Sequence, residues 1–366
     1  MKLLESQTSL SPNNMNINQR IRGDHASYIS NLYTIDCRLG TNPKGRPPLS
    51  YAIKETLLDD LSDYYSFDYI AKLSVLTANY IGTDPDRVFF SNGSMPMLST
   101  IFSKLLGDNM TMLGLGPQFV DAVSEFIKLG GSYSSIKYSP SVIPTLCEKI
   151  RTTAPSVVYI DNPNNPTGRA YSHEELEPVV EVCLDSGSIL LIDEAYGDYL
   201  AKDESMVQFA NEFNNVVVTR SFSKGLGLAS CRLGYAVVSH NLRDYFSKII
   251  IPFTPSLTSI KIACDVLPNI DSFLDGCKKD CREIKKTMID ELKLCGIEVA
   301  PTHEDTPIFL AYKQGENLAS WFDDRGILVE SAHHFELTDN TLTKEYCRVR
   351  IVGNTHDLEH LLYRLK

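Results

Sequence analysis

Six short apolar runs, each separated from the next by a helix-length stretch, constrain this chain more than any other feature: "VFF" at 88–90, "TMLGLG" at 111–116, "SVVYI" at 156–160, "ILLI" at 189–192, "VVVT" at 216–219 and "GYAVVS" at 234–239. A run that is apolar at consecutive positions offers no polar face to water, so each reads as a strand covered on both sides, with the stretches between them forming helices. That alternation predicts an α/β protein built on a mainly parallel sheet. After "IIIPFTPS" at 249–256 the pattern changes. A helical stretch over roughly 257–294 leads into "GIEVAP", "PIFLAY", "GILVES" and "YCRVRIVG", which read as strands of a smaller α+β unit. The expected division is an N-terminal arm and entry segment over 1–48, packing on the small domain, a large domain over 49–252 and a small C-terminal domain over 253–366.

A chain of 366 residues exceeds a comfortable single core, in keeping with two units. The net charge of −11 argues against a general nucleic-acid binder, which needs a basic face to displace counterions from phosphates. No run approaches the ~18 apolar residues of a membrane helix, and the N-terminus lacks a signal-peptide core, so a cytoplasmic protein with no membrane partner is expected. The nine cysteines are irregularly spaced and read as reduced, mostly buried thiols. Cys277 and Cys281 in "GCKKDCREIKK" have no second pair of the kind zinc requires, so no metal is expected.

In open parallel sheets ligands bind beyond the carboxyl ends of the strands, so the residues after each apolar run carry the chemistry. There stand "SNGSMPM", "DNPNNPTG", "DEAYGDY" and "RSFSKGLGLASCR". Lys224 in the last of these lies among small and apolar residues, where a lysine that only solubilised a surface would sit among other charges. Asp193, at the end of "ILLI", is costly to bury without a cationic partner. "SNGSMPM" opens a helix directly after a strand, so the amides of Ser94 and Met95 would face an anion, with Ser221, Ser223 and Arg232 closing the other side. "GLGLAS" fails as a dinucleotide fingerprint, because no strand immediately precedes it and its last position is wrong.

"NPNNPTG", "DEAY" and "SFSK" with an arginine eight after the lysine, in this order, resemble the class I/II (fold type I) pyridoxal-phosphate aminotransferases over about residues 35–366, and among them the histidinol-phosphate aminotransferases. The resemblance implies pyridoxal 5'-phosphate as cofactor and transfer of an α-amino group from an amino acid to a 2-oxo acid. It makes Lys224 the amine of the Schiff base, which also moves the proton at Cα, and Asp193 the carboxylate that keeps the ring nitrogen protonated. Asn165 and Tyr196 would donate to the ring's phenolic oxygen. Gly93, Ser94, Met95, Ser221, Ser223 and Arg232 would hold the phosphate. Phe119 in "GPQFVDA" would stack on the ring, although its sequence context reads equally well as core. The segment "YSFDYIAKLSVLTANYIG" matches the one that supplies a tyrosine to the neighbouring subunit, selecting Tyr65 with Tyr64 as competitor and implying a homodimer.

For the substrate, Arg348 in "YCRVRIVGNTHDL" matches the carboxylate-binding arginine without a gap, whereas Arg350, on the same strand face, matches only with one. Gly40 and Asn42 in "RLGTNPKGRPP" would border the substrate. One position departs from the pattern. Glu330 in "GILVESAHHF" stands where histidinol-phosphate aminotransferases often carry arginine. A carboxylate there repels a phosphate ester, so the expected donor is a free amino acid, cationic ones included; His333 and His334 either line this pocket or are structural. The same scaffold also hosts decarboxylases, lyases and cyclising or oxidising enzymes, which differ in the bond at Cα held perpendicular to the ring. A cofactor-sensing regulator is the remaining alternative and would need a DNA-binding module.

Overall fold

The computed structural model describes residues 34–57, 67–104, 109–139 and 142–366. Its strands are β1 (Ile35–Asp36), β2 (Val88–Ser91), β3 (Thr111–Gly116), β4 (Ser132–Lys137), β5 (Val157–Asp161), β6 (Ile189–Glu194), β7 (Val216–Ser221), β8 (Gly234–Val238), β9 (Glu298–Val299), β10 (Ile308–Tyr312), β11 (Ile327–Leu328), β12 (Glu330–Ser331) and β13 (Tyr346–Arg350). Seven of them form the central sheet in the order β2-β8-β7-β6-β5-β3-β4. β5 and β7 are buried at every position, and successive residues alternate between two cores: Val158 and Ile160 pack on one face of the sheet, Val157 and Tyr159 on the other. Continuous apolar runs are the consequence of this two-sided burial.

The sheet is an α/β sheet as the sequence predicts, with two features that hydrophobic runs do not disclose. β4, "SYSSIK", is an edge strand whose burial alternates, so it needs no apolar run and is absent from the six. β8 runs antiparallel between β2 and β7. Its first residue, Gly234, is therefore the register partner of both Ser91 and Ser221, the last residues of β2 and β7. The loops "SNG" and "SFSK" thus lie side by side, with the turn carrying Arg232 leading into the strand between them.

The C-terminal strands form an antiparallel sheet, β12-β13-β10-β9, while β11 pairs in parallel with β1. "GILVES" is thus shared between two sheets. The long helical stretch is also divided: helices span Leu257–Val266 and Ile270–Leu294, with Pro268 in the turn between them. The packed core does not change at the expected boundary of 252–253. Ile260, Ala263, Leu267, Ile270 and Leu274 lie in a core beneath the central sheet, whereas Cys281, Ile284, Met288 and Leu292 lie in the core of the C-terminal sheet. An amphipathic helix of 25 residues is long enough to serve both, so the proline segment marks a change of pattern and not of core.

Candidate active site

At the carboxyl ends of β2 and β7 a guanidinium, two hydroxyls and a helix N-terminus converge. The helix Ser94–Lys104 begins three residues after the end of β2. Gly93 has φ +110°, and a Cβ there would lie 2.7 Å from Arg232 Nη2, so the chain passes the guanidinium closely because it has no side chain. Arg232 Nη1 donates to Ser223 Oγ (3.2 Å) and to the Ala229 carbonyl (3.0 Å), and the Ser223 amide donates to Ser221 Oγ (3.1 Å). Arg232 itself is in the left-handed region at φ +47°, a conformation that costs a non-glycine residue about 1 kcal/mol or more and aims its side chain back at the loop. Such a corner is suited to a phosphate dianion.

Next along the sheet, at the end of β6, stands Asp193, buried, with Oδ1 accepting from the Ala195 amide (3.0 Å) and Oδ2 from the Tyr159 hydroxyl (3.2 Å). Burial pushes its carboxyl up to about 6 against the lowering effect of the Ala195 amide, Tyr159, Thr219 and Lys224. Lys224 is half-buried, with Nζ 5.5 Å from the centroid of the Tyr196 ring. The Tyr196 hydroxyl is buried with no protein partner, and it lies so close to Gly40 that a Cβ at that position would overlap it. A buried acid whose hydrogen-bond donors are both neutral and a buried phenol lacking a protein acceptor are both groups that burial leaves costly until a ligand completes them.

β13 then brings in the arginine. Arg348 Nη1 donates to Asn165 Oδ1 (2.9 Å), Nη2 donates to the Arg38 carbonyl (2.7 Å), and the guanidinium lies 5.7 Å from the centre of the Phe335 ring. Arg350 turns instead to the backbone carbonyl of Asp36 on β1. Glu330 is the cross-strand partner of Arg348, with 3.9 Å between Oε2 and Nη2, and its other oxygen lies 2.9 Å from His334 Nδ1. His333 pairs with Glu336 at 3.3 Å and is half exposed. Asn42 is buried; its Nδ2 donates to the Gly225 carbonyl (2.7 Å) and so ties the N-terminal segment to the loop of Lys224. Phe119 precedes the helix Val120–Lys128, and its amide donates to Asp161 Oδ2 (3.0 Å). Met95 is in the first turn of the Ser94 helix. Tyr64 and Tyr65 lie outside the described residues.

Residues 43–365 match the family described as aminotransferase class I and II. The chain belongs to this family. Histidinol-phosphate aminotransferase of Chlorobaculum parvum is 27% identical over 290 residues, 78% of this chain and 79% of that protein. Among solved structures, histidinol-phosphate aminotransferase from Sinorhizobium meliloti in complex with pyridoxal-5'-phosphate superposes with a TM-score of 0.79 at 16% identity, covering 98% of this chain and 96% of that one. L-threonine-O-3-phosphate decarboxylase from Porphyromonas gingivalis superposes at 0.74 and 17% identity, over 90% and 98% of the two chains. Sharing of the fold by a transferase and a decarboxylase means that architecture alone does not decide the reaction.

Three features of this aminotransferase escape the sequence reading. Asp161 ends β5 and its register partner Asp193 stands one residue before the end of β6, so the rule that singles out one applies equally to the other. Tyr159 is hidden inside an apolar run, where it reads as core, yet its hydroxyl serves Asp193. Arg220 ion-pairs with Glu194 and Asp198, all three buried, and Asp198 packs so tightly on Gly225 that a Cβ there would overlap it. Only the fold brings these three charges together beneath the Lys224 loop.

Proposed function

We propose that this pyridoxal-phosphate-dependent aminotransferase takes its amino group from a free amino acid and not from a phosphate ester. The observation that carries the donor class is Glu330, a carboxylate 15% exposed beside Arg348. In this reading Arg348 holds the α-carboxylate, and Glu330 puts negative charge next to it, where an ester phosphate would be repelled and a cationic or hydrogen-bond-donating side chain favoured.

When bound, pyridoxal phosphate supplies an aldehyde that takes up the amino group and a ring that accepts the electron pair left at Cα. Lys224 supplies the amine that holds the cofactor and then carries the proton from Cα. Asp193 opposes a protonated ring nitrogen, and that positive charge favours its ionised form. Asn165 and the unpartnered Tyr196 hydroxyl donate to the phenolic oxygen. Arg232, Ser221, Ser223, Gly93 and the amides of Ser94 and Met95 receive the phosphate, and Phe119 stacks on the ring.

A homodimer in the cytoplasm is part of the same reading. Phe67, Ile251 and Phe253 are 65%, 61% and 54% exposed, and the rings of Phe67 and Phe253 meet at 6.3 Å. A second copy covering this patch would remove these apolar side chains from water. Among the described residues no helix is long and apolar enough to cross a membrane.

The test measures glutamate formed from 2-oxoglutarate with a panel of donors that includes histidinol phosphate. Several free amino acids should act as donors, and Glu330→Arg should move kcat/KM toward histidinol phosphate at least about tenfold, the scale of one charge-assisted contact. Exclusive use of histidinol phosphate by the unaltered enzyme would sink the donor class, and CO2 release without glutamate would favour decarboxylation.

A further inference from the structure

Asp161 and Asp193 are register partners on adjacent parallel strands and continue one face of the sheet. Asp193 has a cofactor atom to oppose, whereas Asp161 faces only protein. It is 4% exposed, and each of its bonds comes from a donor: Oδ2 accepts from the amides of Phe119 (3.0 Å) and Asn165 (3.0 Å), and Oδ1 accepts from Asn164 Nδ2 (3.0 Å). A single oxygen therefore joins the residue that would cover the ring to the residue that would bond its phenolic oxygen. Asn165 also accepts from Arg348, so the same link extends to the carboxylate end of the substrate.

An acceptor-only group is required here. With donors at both oxygens, an asparagine would set its own N–H against another N–H in either orientation. Burial pushes the Asp161 carboxyl up to about 7 and the Asp193 charge adds to this, while the Asn165 and Phe119 amides oppose it, favouring the carboxylate. A carboxylate kept beside another buried carboxylate costs stability, a cost that a merely structural turn has no reason to carry.

We propose that Asp161 is a positioning residue for the cofactor: its carboxylate fixes where Phe119 and Asn165 stand relative to each other, and through them how the ring is seated. The inference rests on pyridoxal phosphate as the ligand of this site but not on the identity of the donor. The dissociation constant of the cofactor from the full-length protein and the visible circular-dichroism band of the bound form test it without reference to turnover. Asp161→Asn should weaken binding at least tenfold and shrink the band, and in a background carrying both Phe119→Ala and Asn165→Ala the same change should cost less than threefold, because the two side chains it positions against the ring are already gone. Asp161→Ser, which keeps one acceptor, should show a smaller loss with the same dependence on background, and it serves if the asparagine variant is insoluble. An equal penalty in both backgrounds, or unchanged affinity and band with only a lower melting temperature, overturns the proposal. Failure of the unaltered protein to bind the cofactor would instead overturn the reading of the site itself.

Discussion

At the scale of single residues, Asp193 sets a pH dependence on the protein without its cofactor. Its folded pKa of about 6 lies above the ordinary carboxyl value of 3.8, so the folded state holds a proton that the unfolded chain releases. Stability therefore falls as pH rises from about 4 through about 6, and the loss is complete above that, on the order of 3 kcal/mol for a shift of this size. In urea titrations of the cofactor-free protein, Asp193→Asn should gain on the unaltered protein between pH 4 and pH 7.5. Transaminase activity should fall by roughly a hundredfold or more in the same variant, because the charge opposite the ring nitrogen is lost. The two arginines of β13 separate by neighbour. Arg348→Lys, which gives up the planar fork that reaches Asn165 and the Arg38 carbonyl, should raise KM for the amino donor about tenfold or more. Arg350→Lys should leave KM nearly unchanged and show mainly as a lower melting temperature, since its guanidinium is spent on the backbone of β1. Sequence spacing puts both arginines on one strand face; which of them meets Asn165 depends on the register of β13 with β10 and on where β1 lies.

At the scale of elements, the entrance segment is held to the site by close approach and not by bulk. Gly40→Ala would drive a methyl into the Tyr196 hydroxyl, so it should lower kcat/KM with little loss of folding stability, read by steady-state kinetics alongside thermal denaturation. Buried strands were legible because their physics is local: β5 and β7 must be apolar on both faces, and the helix expected at "SNGSMPM" begins at Ser94, directly after β2. β4 was not legible, because an edge strand solvated on alternate positions has no obligation to be apolar. The direction of β8 was not legible either. "GYAVV" is equally buried whether it runs parallel or antiparallel, and the choice follows from residues 222–233, whose one helical element is the three-residue turn Ala229–Cys231, too little to form a crossover.

For the whole molecule, the Arg220 network fastens the Lys224 loop onto the sheet. Breaking it leaves an uncompensated charge in the interior, so Glu194→Gln should cost about 3 kcal/mol or more in chemical denaturation, well above the effect of cutting the exposed Lys202–Asp271 pair. The helix Ile270–Leu294 ties the two cores together, and we propose that the division between the units falls within it, between Leu274 and Cys281. The chain alone determined the sheet, the ligand-binding end of it, and Lys224, Asp193, Asn165, Tyr196 and Arg232 as candidates, because burial on two faces and the motifs at strand ends are written in consecutive residues. Tertiary structure decided that Arg348 and not Arg350 meets Asn165, that Asp161 bonds both Phe119 and Asn165, and that Glu330 lies across from Arg348. Those outcomes turn on strand register and on contacts between segments far apart in the chain, and no short stretch of sequence contains them.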